Sequence, residues 1–177
     1  MPKYVAFLRA INVGGRVVKM DRLRALFGEL GHVNVETFIA SGNVLFDSTS
    51  KSVPALEKKI EAHLRAALGY EVATLVRPLA DLAAIAEGHA FVDVDEAHTI
   101  LIGFLRDTPT APVAAKLMTL QTPTDVFHVG GAHLYWWCKI RQNETKITNV
   151  MLERTMDGSP VTFRNITTVR KLAAKAR

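Results

Sequence analysis

The sequence predicts an α+β protein built of two ferredoxin-like (βαββαβ) halves in tandem, with an extra C-terminal helix. Three observations carry that prediction. Two strongly apolar runs, Tyr4 to Leu8 and Thr99 to Leu105, each open a series of strand-like and helix-like patterns in the same order. Each series contains two strand patterns divided by a glycine turn, Ser41-Gly42-Asn43 in the first and Gly130-Gly131 in the second. Between the series, Leu79 to Ala97 holds Asp81, Glu87, Asp93, Asp95 and Glu96 with no lysine or arginine, and hydrophobic periodicity fails across its acidic end. The expected organisation is therefore a first half over residues 1–78, an acidic helical connector over 79–97, and a second half over 98–177 that ends in a basic helix. No residue-level repeat accompanies the repeated order, so duplication rests on element order alone.

Taken in sequence, Tyr4 to Leu8 is a strand without alternation and therefore interior. Asp21 is the expected N-cap of a helix whose Leu23, Leu26, Phe27 and Leu30 recur at helical spacing, with Gly31 ending it. Val35 to Ala40 and Val44 to Phe46 form a hairpin around the Ser41 turn. Ser52 and Pro54 open a second helix, with Leu56, Ile60, Leu64 and Leu68 on one face and Gly69 closing it. Glu71 to Arg77 is the fourth strand, and Leu79 to Glu87 is a short helix in the connector.

The second series gives a strand at Thr99 to Leu105, a helix at Ala111 to Leu120, and a hairpin of Val126 to Val129 with His133 to Trp137. Thr145 is the expected cap of a helix from Lys146 to Met156, closed by Gly158. Val161 to Arg164 is the last strand, and Thr167 to Ala176 the final helix. In a unit of this order the first and third strands are central and the helices cover one face. The loop after the first strand then lies beside the hairpin turn. Because neither central strand alternates, both faces of each are expected to be buried.

Composition narrows the function classes. At 49% hydrophobic and 22% charged residues the chain has the mixture of an ordinary globular protein, which excludes disorder. No apolar run approaches the roughly 20 residues that span a bilayer, and the N-terminus lacks a signal-peptide pattern, so no membrane is expected and the cytoplasm is the expected compartment. The lone Cys138, inside LYWWC, reads as core. The six histidines show no metal-ligand spacing, so no metal is expected, and no catalytic set is legible. A net charge of +5 and a pI of about 9.5 suit phosphates, nucleic acid or acidic proteins as partners.

The stretch that offers chemistry is INVGGRVVKM. Gly14 and Gly15 permit positive φ and let backbone N–H groups converge, Arg9, Arg16 and Lys19 flank them, and the loop feeds a helix N-terminus. It lacks both the P-loop and the dinucleotide-binding fingerprint. Lys146, where a cation opposes a helix dipole, and the group Arg164, Asn165, Thr168, Arg170 and Lys171 are further cationic or polar candidates.

These blocks, LRAINVGG with Lys19-Met20, SGNVLF, Thr145-Lys146-Ile147-Thr148-Asn149 and RNITTVRKL, together resemble the signature of the domain-of-unknown-function 1697 family of small bacterial proteins. That family usually has Gly at Ala10, Ser at Thr145, and Trp and Asn at Ile166 and Thr167. The resemblance implies an α+β fold and brings no assigned activity, cofactor or catalytic residue. The positions it shares with this chain are Arg9, Asn12, Gly14, Gly15, Lys19, Ser41, Gly42, Asn43, Lys146, Arg164, Asn165 and Thr168, which stand as the candidate ligand-binding residues.

The leading expectation is a site for a small anionic ligand, a nucleotide or phosphorylated metabolite, at the glycine loop. Whether any reaction follows, and with what cofactor, is left open. Two other classes stand beside it. One is nucleic-acid binding on the basic surface, disfavoured because no aromatic RNA-binding motif appears. The other is a structural protein that forms a homo-oligomer. Lys19→Ala and Asn43→Ala are expected to leave folding within about 1 kcal/mol of normal and to weaken ligand binding at least about tenfold.

Overall fold

The computed structural model describes residues 1–39 and 42–177. The chain divides into two compact units, Met1–Leu82 with Lys175–Arg177, and Ala83–Ala174. The first contains β1 (Lys3–Leu8), α1 (Met20–Glu29), β2 (Val33–Thr37), β3 (Asn43–Asp47), α2 (Val53–Leu68) and β4 (Thr74–Pro78). Its sheet has the order β2-β3-β1-β4, every neighbouring pair antiparallel. A 3-10 turn, Leu79–Asp81, leads into the short α3 (Leu82–Ala86). Then come β5 (Thr99–Leu105), α4 (Ala111–Met118), β6 (Asp125–Gly130), β7 (His133–Cys138), α5 (Asn149–Thr155), β8 (Val161–Asn165) and α6 (Ile166–Ala174). The second sheet, β6-β7-β5-β8, repeats the order of the first. Two tandem βαββαβ halves and a C-terminal helix are thus the architecture.

The lack of alternation in β1 has the expected consequence. Tyr4, Ala6 and Leu8 join Leu23, Leu26 and Phe27 of α1 and Leu56, Ile60 and Leu64 of α2 in one core. Val5 and Phe7, which point the other way along the strand, are fully buried too. In β5, Leu101 and Leu105 share a core with Leu117 of α4 and Leu152 of α5. Ile102 and Phe104 on its other face are also fully buried. Each such side chain removed from water contributes about 1.5–3 kcal/mol.

The hydrogen-bond register shows which positions of the two halves correspond. Leu8 N–H donates to Gly42 O at 2.8 Å, and Leu105 N–H to Ala132 O at 3.0 Å. Phe7 pairs with Asn43 as Phe104 pairs with His133. Phe7-Leu8-Arg9 therefore stands on Phe104-Leu105-Arg106. Val5 pairs with Arg77 as Ile102 pairs with Arg164, and each arginine Nη1 donates at 2.8 Å to the carbonyl before it, Val76 O or Phe163 O.

Several boundaries move for local reasons. Asp21 lies inside the first turn of α1, paired with Arg24, and Lys19 is the N-cap residue. β2 starts earlier than the pattern suggests, its register shifted between Val33 and Glu36 where Asn34 has positive φ. The β6–β7 loop is Gly131-Ala132, because Gly130 still pairs with His133. The cap of α5 is Thr148, whose side chain accepts from Met151 N–H at 3.2 Å, so Lys146 precedes the helix instead of opening it.

Candidate functional site

The loop between β1 and α1 is held at both ends by its own backbone and by one side chain. Arg9 N–H donates to Ala73 O at 2.9 Å, tying the loop's first residue to the entry of β4. Asn12 Oδ1 accepts from Val18 N–H at 2.6 Å, closing the segment that contains Gly14 and Gly15. Those glycines have φ of 62° and 80°, and a Cβ on either would meet nothing within 4 Å. Backbone conformation, not crowding, is what requires glycine there. Val18 is buried and anchors the loop to the core, whereas Val13 and Val17 are exposed.

Sequence reasoning did not foresee Tyr70. Its ring lies under the Arg16 guanidinium at 4.3 Å, and its hydroxyl donates to Ile11 O at 3.4 Å. No local signal marks it, since it reaches the loop from beyond α2.

The hairpin turn adjoins this loop through the Leu8 N–H to Gly42 O bond. Gly42 has a φ of 102°. Asn43 is 3% exposed, and its Nδ2 donates to Phe38 O at 3.0 Å and Ile39 O at 3.3 Å. Its side-chain amide latches the turn. Ser41 lies outside the described residues.

The helix that follows the loop begins differently from its counterparts. α2, α4 and α5 start on Ser52, Thr110 and Thr148, whose hydroxyls accept a first-turn N–H. α1 starts on Lys19, whose side chain makes no capping bond among the described residues. The start of α1 thus lies beside an exposed cation, with Asp21 in its first turn.

The remaining candidates lie in the second unit, at the opposite end of its own sheet from the counterparts of Arg9 and Asn43. Asn165 opposes Leu101 near the start of β5, whereas Arg106 and His133 stand at its end. Lys146 is exposed on the β7–α5 loop. Asn165 Oδ1 accepts from Thr167 N–H and Oγ1, both at 2.9 Å, and so caps α6; Thr168 is half-buried in that helix's first turn. Arg164 Nη1 also donates to Thr162 Oγ1 at 3.0 Å, and burial pushes its guanidinium down to about 10, so it stays charged at neutral pH. Thr145 reaches the buried carboxylate of Asp125 instead of capping a helix.

Comparison with known proteins agrees with this architecture. A family model described as "Protein of unknown function (DUF1697)" matches residues 1–135. The solved structure of the conserved bacterial protein SP0830 from Streptococcus pneumoniae is similar at 26% identity and a TM-score of 0.77, over 99% of this chain and 98% of that one. No curated protein matches. Among the described residues, no helix is long and apolar enough to cross a membrane.

Proposed function

We propose, for a chain that belongs to the DUF1697 family of proteins of unknown function, that the loop between β1 and α1 binds a small anionic ligand, a nucleotide or a phosphorylated metabolite. The observation that carries the reading is the uncapped start of α1 at Lys19, reached through a loop with two glycines at positive φ. Such a helix end satisfies an anion with backbone N–H groups, and charge-assisted bonds from lysine or arginine strengthen the hold. The loop is already shaped by its own bonds at Arg9 and Asn12, so little ordering is needed on binding.

Of the twelve residues shared with the family pattern, this reading gives Gly14, Gly15 and Lys19 the ligand, with Arg9 beside them. It gives Asn12, Gly42 and Asn43 the task of holding the loop and turn. Lys146, Arg164, Asn165 and Thr168 are not needed for it.

A thermal-shift screen of nucleotides, sugar phosphates and oligonucleotides at two salt concentrations tests the proposal, because a ligand of the native state raises the melting temperature. A small phosphorylated compound should give the largest rise, and Lys19→Ala should weaken its binding at least about tenfold, or roughly 1.4 kcal/mol. Tight, steeply salt-dependent binding of oligonucleotides alone would favour nucleic acid instead. Unchanged affinity in Lys19→Ala would remove the site.

A further inference from the structure

Residues 87–98 join α3 to β5 without forming a helix or strand. Their middle is exposed, with Val92 at 74% and Asp93, Asp95 and Glu96 open to water. Both ends are nevertheless fixed on the face of β7 that turns away from the core shared with α4 and α5. At the first end, Gly88 packs so closely on Tyr135 that an added Cβ would stand 2.5 Å from its hydroxyl oxygen, and that hydroxyl donates to Ile85 O at 2.6 Å. At the other, Trp137 Nε1–H donates to His98 Nδ1 at 3.1 Å, with the two rings 5.9 Å apart. Phe91 lies between, its ring 5.6 Å from Trp137 and 5.5 Å from His89, and its N–H donates to His89 Nδ1 at 3.3 Å.

Both imidazoles serve as acceptors through Nδ1. An imidazole nitrogen accepts only while it carries no hydrogen, so each bond requires a neutral ring with its hydrogen on Nε2. A proton added to either ring leaves hydrogen on both nitrogens, and turning the ring over does not restore an acceptor. The surroundings favour a second arrangement of the charged ring. Lys139 Nζ already stands 4.4 Å over the Trp137 ring, so a second cation beside that indole meets its charge. Asp95 and Glu96 directly precede His98 in the bend, and Asp93 lies farther along the same segment, all three exposed. Asp95 Oδ1 accepts from Ala97 N–H at 2.8 Å and its backbone oxygen from His98 N–H at 2.9 Å, which holds that bend together. On the other side, Glu87 is taken by Arg170 Nε at 3.0 Å. His128 and His133 stand 5.8 and 6.3 Å from the Tyr135 ring, which His89 meets at 6.2 Å, and three imidazoles around one ring repel one another once they carry charge. The Tyr135 hydroxyl, which burial holds above its ordinary value, stays protonated and keeps the first end fixed.

We propose that His89 and His98 form a pH-sensitive clasp: while both are neutral they hold the segment between Gly88 and Thr99 on the second sheet, and proton uptake releases it. Because the segment forms no helix or ladder, it depends on these side-chain contacts, and losing two of them opens it without unfolding the sheet beneath. Release uncovers the apolar rings of Phe91 and Trp137. No residue of the glycine loop takes part.

The test uses the two tryptophans of the full-length chain, read by proton–nitrogen correlation of their indole N–H groups. The pH is lowered from about 8 to about 5, the interval in which imidazoles change charge. Trp137 should follow a titration curve. Trp136 should stay in place, since its Nε1–H is bound at 3.0 Å to Asp125, a carboxyl held below its ordinary value. Amide hydrogen exchange across residues 89–98, corrected for its intrinsic pH dependence, should speed up at least about tenfold at the lower pH. Asparagine keeps an acceptor near the place of Nδ1 and takes up no proton, so His98→Asn should abolish the Trp137 titration and slow the opening at low pH. His98→Phe, which has no acceptor, should open the segment at both ends of the interval. A Trp137 signal that does not titrate, exchange that does not change with pH, or a pH response that survives in the double variant His89→Asn with His98→Asn overturns the proposal.

Discussion

His32 and Asp125 stand at the same place in the two halves, each just before a valine, Val33 or Val126, that pairs with Asp47 on β3 or Trp137 on β7. Their surroundings differ. Asp125 is 2% exposed and accepts from Thr122 Oγ1 at 2.7 Å, Thr145 Oγ1 at 2.8 Å, Trp136 Nε1 at 3.0 Å and Thr124 Oγ1 at 3.1 Å. His32 has aromatic neighbours and a ring nitrogen without a partner among the described residues. The starts of the first helices differ in the same sense, Thr110 capping α4 with its own hydroxyl while Lys19 leaves α1 uncapped. One fold is used twice, and among the described residues the buried side-chain atoms without a partner, His32 Nε2 and Asp47 Oδ1, both lie in the first half, as does the helix start without a side-chain cap. Since stability alone favours closure, the open points are where function is sought.

The largest effects test whether the halves are equivalent at all. Phe7 and Phe104 occupy the same register and are fully buried. Phe7→Ala and Phe104→Ala should each cost about 3–5 kcal/mol in urea unfolding. A loss confined to one of the two would break the equivalence on which the comparison rests.

Asp125→Ala comes next, because it strands several donors in the interior at a cost of about 3 kcal/mol. His32→Phe should cost less than about 1 kcal/mol or add stability, since it removes an unpaired atom and keeps the ring. The pH dependence sharpens the contrast. Burial pushes the Asp125 carboxyl up, but the bonds from Thr122, Thr145, Trp136 and Thr124 together hold it below its ordinary value. A carboxyl lowered on folding contributes stability that is present above the unfolded value, about 3.9, and is lost as pH falls through the folded one. Acid unfolding below about pH 4 should therefore be shallower in Asp125→Asn than in the parent chain.

The architecture was legible because it depends on patterns that are local. Unalternating β1 and β5, the Ser52-x-Pro54 start and Gly69 stop of α2, and the glycine turns each leave a signature within a few residues. What was not legible depends on partners distant in sequence. Thr145 looked like a helix cap because a threonine before a lysine and apolar residues has that form, yet its hydroxyl is taken by Asp125 across the half. Asn43 looked like a turn residue; only the register places it beneath Phe38 and Ile39 carbonyls. His32 carried no signal, since its interest lies in what fails to reach it.

Asn43→Ala should accordingly cost about 1–3 kcal/mol, by leaving two turn carbonyls without their donor. His133, at the same register in the other half, instead sets its ring edge-on to Phe104 at 5.6 Å. His133→Ala should lose only about 0.5–1.5 kcal/mol. Thermal unfolding of the two variants side by side checks the order, and a larger loss at His133 would reverse it.

The smallest effect is the most informative. Lys19 and Thr110 have nearly the same backbone, φ −64° and ψ 145° against φ −64° and ψ 159°, so the two helix starts differ in side chain and not in conformation. A threonine at position 19 can therefore cap α1 as Thr110 caps α4, accepting a first-turn N–H and removing a cation from the positive end of the helix. The cap contributes about 0.5–1 kcal/mol and the relieved dipole contact a few tenths more. Lys19→Thr should thus raise the melting temperature by a few degrees in the absence of ligand. The same change covers the N–H groups that the proposed anion would use and removes its charged partner, so ligand-induced stabilisation should fall at least about tenfold in affinity. A gain in stability together with a loss of binding is the signature of a position kept open for function. A gain in stability with binding intact would make Lys19 an unoptimised cap and nothing more. A loss of stability would mean that Lys19 supports the loop through contacts that the helix start does not explain.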